Sequence, residues 1–236
     1  MCNGSTTDFD SVYIGSNPIV ASKIKIMQIK TWHKVLFFGS ITAFVIYAGR
    51  EKIFSGAKYV QRKFGDLVSA IAGKWVGVKE IGENQAFGND VFQAMMKKVG
   101  WKSSEQWCMY FAKAVHTEAF KDNPAELSKI NKILNGSTQL SYDYAKNDKS
   151  GTYIVSSTPK KGDIQIYRNN ATGKGHAGVV TEVNSNNTVL TIEGNTSDNN
   201  IADGDYVAKK VRPSKVGTYL PNSNLYVRGY IRKLNV

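Results

Sequence analysis

The chain has 236 residues, 42% of them hydrophobic and 21% charged, with 21 glycines; this globular composition excludes a collagen-like, low-complexity or wholly disordered chain. The net charge is +12 and the sequence pI about 9.5, which points to a polyanionic partner such as nucleic acid, anionic lipid or an acidic wall polymer. The lysines are spread along the chain, with no dense arginine run and no nucleic-acid motif, so a specific nucleic acid is set aside.

Residues 1–30 are largely polar and read as a flexible N-terminal arm. Residues 31–50 read as a transmembrane segment. Val35 to Gly49 carries no charge over 15 residues, and with Thr31, Trp32 and His33 it approaches the roughly 20 residues that span a bilayer. Trp32 and Tyr47 lie near its two ends, where interfacial aromatics belong. Lys30, Lys34, Arg50 and Lys52 flank it within reach of headgroups. A buried helix is the competing reading. A signal peptide fits poorly, because Ile46-Tyr47-Ala48 is not a small-residue cleavage site.

Over residues 51–77, apolar side chains recur at Ile53, Ala57, Val60, Phe64, Leu67, Val68, Ile71 and Trp75. This spacing predicts an amphipathic helix, either lying on lipid or acting as a stalk, or packed on the domain that follows. Gly73, Gly77 and Gly82 loosen the chain and place the domain boundary near residue 78.

Within 78–236 the pattern is first helical, then stranded. Asn89–Val99 predicts a helix with Asp90 near its start and Gly100 after its end. Trp107–Phe120 predicts a second, more apolar helix. Asn123-Pro124 caps a third, which Gly136 stops. After Pro159 the period becomes two, and Asp163–Arg168, Ala177–Asn184, Thr188–Asn195, Asp205–Arg212 and Leu225–Arg232 read as strands. Helices followed by antiparallel strands predict an α+β domain.

The two cysteines, Cys2 and Cys108, cannot build a disulfide framework. Neither pairs with His33, His116 or His176 at a zinc-binding spacing, so no metal or cofactor is expected. Cys108 sits in the first turn of its helix. There the positive end of the dipole and the unpaired N–H groups favour the thiolate, the nucleophilic form of cysteine; a buried structural thiol is the bland alternative. His176 begins a strand in Lys174-Gly-His-Ala-Gly-Val-Val180. A two-residue turn at Ser185-Asn186 sets His176 opposite Asn195, with Glu193 a diagonal neighbour on the same face. One hairpin then offers an imidazole and two groups able to fix its tautomer. His116 lies eight residues past Cys108 on one helix, about 12 Å along the axis, too far to be the base.

Six segments, in this order, resemble CHAP-type cysteine amidase/peptidase domains, which are papain-like. They are Glu80-Ile-Gly-Glu-Asn84 followed by Val99-Gly-Trp101, Trp107-Cys-Met-Tyr-Phe-Ala112, Pro159-Lys-Lys-Gly-Asp-Ile164, Gly175-His-Ala-Gly-Val-Val180 and Ile192-Glu-Gly-Asn-Thr196. The resemblance covers about residues 79–200. It implies Cys108 as nucleophile, His176 as base, and Glu193 and Asn195 as orienting groups. It also implies peptidoglycan as substrate, cut at an amide bond by an amidase or endopeptidase. Many relatives carry a polar residue shortly before the cysteine; here Gln106 is two before it, with Trp107 between. Trp101, Trp107 and Tyr110 either line a substrate groove or pack in the core. No acidic loop like the calcium site of some relatives stands out, nor a C-terminal wall-binding module.

With the apolar segment and the basic charge, the resemblance implies a membrane-anchored lytic enzyme of a phage or bacterium. Its catalytic domain faces the cell wall from a virion membrane or the bacterial inner membrane. The bilayer, peptidoglycan and virion or envelope proteins are the expected partners. Two alternatives remain open: a non-catalytic membrane-anchored protein that keeps the fold, and a cysteine peptidase acting on protein.

Overall fold

The computed structural model describes residues 63–197, 204–220 and 223–234. The arm at 1–30 and the apolar segment at 31–50 lie outside the described residues. Among those described, no helix is long and apolar enough to cross a membrane.

Residues 63–73 are helical (α1), as the apolar spacing predicts. Its apolar stripe does not face lipid. Phe64, Val68, Ile71 and Ala72 are buried in the main core with Met96, Phe111 and Val115. The core therefore extends past the boundary expected at residue 78, and the described part of 51–77 takes the packing alternative.

A small hairpin follows, β1 (Glu80–Ile81) with β2 (Ala86–Phe87). Helix α2 (Asp90–Lys98) is started by Asn89, whose side chain accepts from the Phe92 N–H, and ends on Lys97 and Lys98, the charge order that suits a helix dipole. Helix α3 spans Cys108–Ala119. Helix α4 (Pro124–Ile133) starts at an Asn123 cap with proline in its first turn. Helix α5 (Thr138–Lys146), capped by Ser137 on the Leu140 N–H, falls where the sequence reading placed no element.

The strands are β3 (Tyr153–Ser156), β4 (Ile164–Arg168), β5 (Gly175–Val183), β6 (Thr188–Thr196), β7 (Tyr206–Pro213), β8 (Tyr219–Leu220) and β9 (Leu225–Lys233). They form one antiparallel sheet in the order β3-β9-β4-β5-β6-β7, with β8 on β9. The α+β class read from the sequence is the class observed.

Alternation divides the sheet into two unlike faces. Ile164, Ile166, Ala177, Val179, Ile192, Val207 and Ile231 join the core that the helices cover. The opposite face carries Gln165, Tyr167, His176, Thr191, Glu193, Arg212 and Tyr230, all buried. The sheet curls to enclose them. At the end of β7, the Pro213 carbonyl accepts from Gln165 Nε2 at 2.7 Å and the Ser214 carbonyl from the Tyr230 hydroxyl at 2.5 Å. A buried ion pair, Arg232 Nη2 to Asp163 Oδ2 at 2.7 Å, ties β9 to the start of β4.

Removing α1 exposes the core. Burial of Phe64, Val68 and Ile71 contributes about 1.5–3 kcal/mol each, against a total of about 5–15 kcal/mol for a domain. A fragment of residues 78–236 is expected to melt far below a fragment of 51–236, or not to fold; equal melting temperatures by circular dichroism would contradict this packing.

Candidate active site

Helix α3 begins at Cys108. Its N-cap is Trp107, which makes no side-chain capping bond, so no side chain of the cap competes for the first-turn N–H groups. Met109, Phe111, Ala112 and Val115 are fully buried and press α3 onto the apolar face of β5 and β6. Gly194 permits this approach: a Cβ there would lie 2.5 Å from Trp107 Cζ3 and 2.8 Å from Phe111 Cβ. The thiol is thus fixed by packing at the end of the sheet where β5 begins.

His176 stands at that end of β5, paired across β4 with Tyr167. Its Nε2 lies 3.0 Å from Glu193 Oε2 on β6. Its Nδ1 makes no hydrogen bond among the described residues; Cys108 is near enough to favour the charged ring. Glu193 fits beside the ring because its neighbour on β5 is Gly178, where a Cβ would come within 2.8 Å of Glu193 Cγ.

Glu193 is fully buried and held on three further bonds. Arg212 on β7 donates to it twice, Nε to Oε1 at 2.8 Å and Nη2 to Oε2 at 2.5 Å. Thr191 Oγ1 donates to Oε1 at 2.6 Å. Burial favours a neutral carboxyl, but the bonds from Arg212 and His176 outweigh it and hold Glu193 well below the usual carboxylate range. Burial likewise disfavours the imidazolium of His176; Cys108, then Glu193, outweigh it and push the ring up to about 9. Tyr167 closes the group. Its ring centroid is 6.0 Å from that of His176, its hydroxyl donates to Gln165 Oε1 at 2.6 Å, and burial and the charge of Glu193 keep the phenol protonated.

The structure thus brings Cys108, His176 and Glu193 together. Of the two orienting groups expected, the Glu193 carboxylate is the one bonded to Nε2. Asn195 is buried close by with φ 55°, where the pairing of β6 with β7 shifts register. Gln106 is exposed, two residues before Cys108. Trp101 and Trp107 take the core alternative rather than the groove. Both rings are buried around Phe87, at centroid distances of 4.6 and 5.0 Å. Their indole N–H groups are spent inside, Trp101 on the Glu105 carbonyl at 2.9 Å and Trp107 on Glu80 Oε2 at 2.6 Å. Tyr110 is half-buried with Gly136 against its ring, and burial and Glu105 push its phenol up to about 12. His116 is wholly buried, with Nδ1 3.3 Å from the Tyr153 hydroxyl. Burial and Lys233 push it down to about 3, so it is a neutral core residue. Among the described residues no cluster of His, Cys, Asp and Glu could hold a metal ion.

Arg212, Thr191 and Tyr167 were not singled out from sequence. A signal for two of them existed: Thr191 shares the period of Glu193 on one strand, and Arg212 is a charge at an inward position of the next.

Residues 98–195 match the family model for the CHAP domain. That segment is similar to a CHAP domain. The matched segment contains Cys108, His176, Glu193 and Asn195, and ends before Arg212. A comparison with curated proteins finds no match. CHAP domains are generally cysteine hydrolases acting on peptidoglycan, so the family supports a peptidoglycan hydrolase, amidase or peptidase activity in general.

The sign of the pH dependence follows from His176. Its folded value, about 9, exceeds the usual 6.5, so the stability it contributes is complete below about pH 6.5 and is lost as pH rises through about 9. Reactivity that depends on the imidazolium falls over the same upper range. The His176 ring protons are expected to titrate near pH 9 by NMR in the wild type and at lower pH in Cys108→Ala. An identical profile in both proteins would contradict the pairing.

Proposed function

We propose that this protein is a cysteine-dependent peptidoglycan hydrolase that cuts an amide bond in the peptide part of the wall. One observation carries the reading: a cysteine at an uncapped helix N-terminus faces an imidazole whose far nitrogen is held by a buried, ionised carboxylate. That is the geometry of an activated nucleophile with an oriented base.

In the proposed reaction the Cys108 thiolate attacks the carbonyl carbon of the amide. The developing oxyanion is met by backbone N–H groups of the first turn of α3, where the helix dipole also favours negative charge. As the C–N bond breaks, the Nδ1 proton of His176 passes to the leaving amine. Water then attacks the thioester and gives its proton to Nδ1; the C–S bond breaks, and the product carboxyl and the thiolate are released. Glu193 keeps Nε2 as the donor nitrogen throughout and stabilises the imidazolium. In this reading the apolar segment at residues 31–50 tethers the domain to a membrane, the virion membrane of a phage or the inner membrane of a bacterium, with the domain turned to the wall.

Purified peptidoglycan is expected to release soluble fragments with the full chain in detergent and none with Cys108→Ala, with product masses naming the bond. Equal release by both would sink the role of Cys108. No release by a folded wild type on walls of several hosts would move the reading to a protein substrate or a non-catalytic role. For the tether, the chain is expected to sediment with membranes after alkaline carbonate washing and to become extractable when residues 31–50 are deleted. Extraction of the undeleted chain would contradict it.

A further inference from the structure

Arg212 lies beyond the segment matched by the family model, yet it donates twice to the carboxylate bonded to His176. It sits on β7 opposite Val189, and its guanidinium reaches along β6 to Glu193. Both its Nε and Nη2 bond the carboxylate, one to each oxygen, a bidentate fork that fixes the plane of the carboxylate as well as its charge. The Arg212 side chain is 4% exposed and that of Glu193 0%. A salt bridge so buried is weak evidence for stability, because desolvation offsets much of the attraction. A purely structural tie between β6 and β7 would also have no need to share its carboxylate with a histidine. Glu193 spends Oε2 on both Arg212 and His176, and Oε1 on both Arg212 and Thr191.

We propose that Arg212 is a positioning residue of the hydrolase: its fork keeps Glu193 ionised and aimed at His176 Nε2, and so holds the imidazole toward Cys108. This rests on the function proposed above for the same site. The groups facing Glu193 are His176 from β5, Arg212 from β7, Thr191 from its own strand and Tyr167 from β4. Cys108 from α3, Glu193 and Tyr167 face His176. Arg212 is the one fixed cation in this set. Without it, burial drives Glu193 toward the neutral acid. A neutral acid neither stabilises the imidazolium nor fixes its tautomer, and the ring then loses its proton at lower pH.

The test is the pH profile of the His176 ring protons by NMR, a readout independent of any wall substrate. Arg212→Met is expected to move the titration midpoint down by one pH unit or more from its wild-type position near 9. Arg212→Lys keeps the charge but not the fork, and is expected to move it less. Thr191→Val, which removes a single neutral donor, is expected to move it least. If Arg212→Met does not fold, Arg212→Lys carries the test. A downward shift supports the proposal, and a folded variant whose profile overlays wild type overturns it. A shifted profile in a protein that releases nothing from peptidoglycan would sink the functional reading and leave the positioning role standing.

Discussion

A carboxylate taken wholly out of water costs several kcal/mol unless its oxygens are met by donors. Glu193 is such a group, and the rest of the site is arranged around satisfying it. Its donors come from three neighbouring strands: His176 on β5, Thr191 on its own strand β6 and Arg212 on β7. The register of β5, β6 and β7 therefore sets the chemistry. A slip of one residue would turn Glu193 to the apolar face against α3 and leave Arg212 as a buried charge without a partner. Gly178 completes the arrangement by leaving empty the space that the carboxylate stem occupies.

The sheet serves two solvents at once. One face is apolar and carries α3, and with it Cys108. The other holds a closed polar network of Gln165, Tyr167, Tyr230 and the Glu193 group, covered as β7 curls back over β4 and β9. Cys108 and His176 meet at the end of the sheet where these faces come together. Cys108 is thus fixed by packing and His176 by hydrogen bonds. The packing reaches well outside the matched CHAP segment, since α1 fills the same core with Phe64, Val68 and Ile71.

The sequence was most informative where one residue type has few explanations. A cysteine at a helix start, a histidine at a strand start and a carboxylate two places from an asparagine on the next strand were legible as a set. The hairpin shows how local errors can cancel. The turn is not the two-residue one expected: Asn184 N–H bonds the Thr188 carbonyl, and Asn187 takes a φ of 57°. A bulge between Val180 and Glu182 restores the expected pairing at Val179↔Ile192 and Val180↔Thr191, so Glu193 still reaches the ring. Arg212 was legible only as a charge at an inward strand position, because its partner depends on which strand lies beside β6 and in what register. Trp101 and Trp107 stayed ambiguous for a related reason: an aromatic near a cysteine at a helix start reads alike as groove or core until its neighbours are placed. Helix α5 escaped because its buried residues are Thr138, Ser141 and Ala145, which offer no large apolar side chain to mark the period.

The claim on which the account rests is that the Cys108 sulfur carries the acyl group between the two half-reactions. Rapid quenching into acid during turnover on soluble stem-peptide fragments, followed by mass analysis of the Cys108 peptide, tests this directly. The account predicts a hydroxylamine-labile adduct on Cys108 whose mass equals the acyl part of the cleaved fragment, present in wild type and absent in Cys108→Ala. Turnover with no adduct on Cys108 at any quench time, while Cys108→Ala still cleaves, would contradict it.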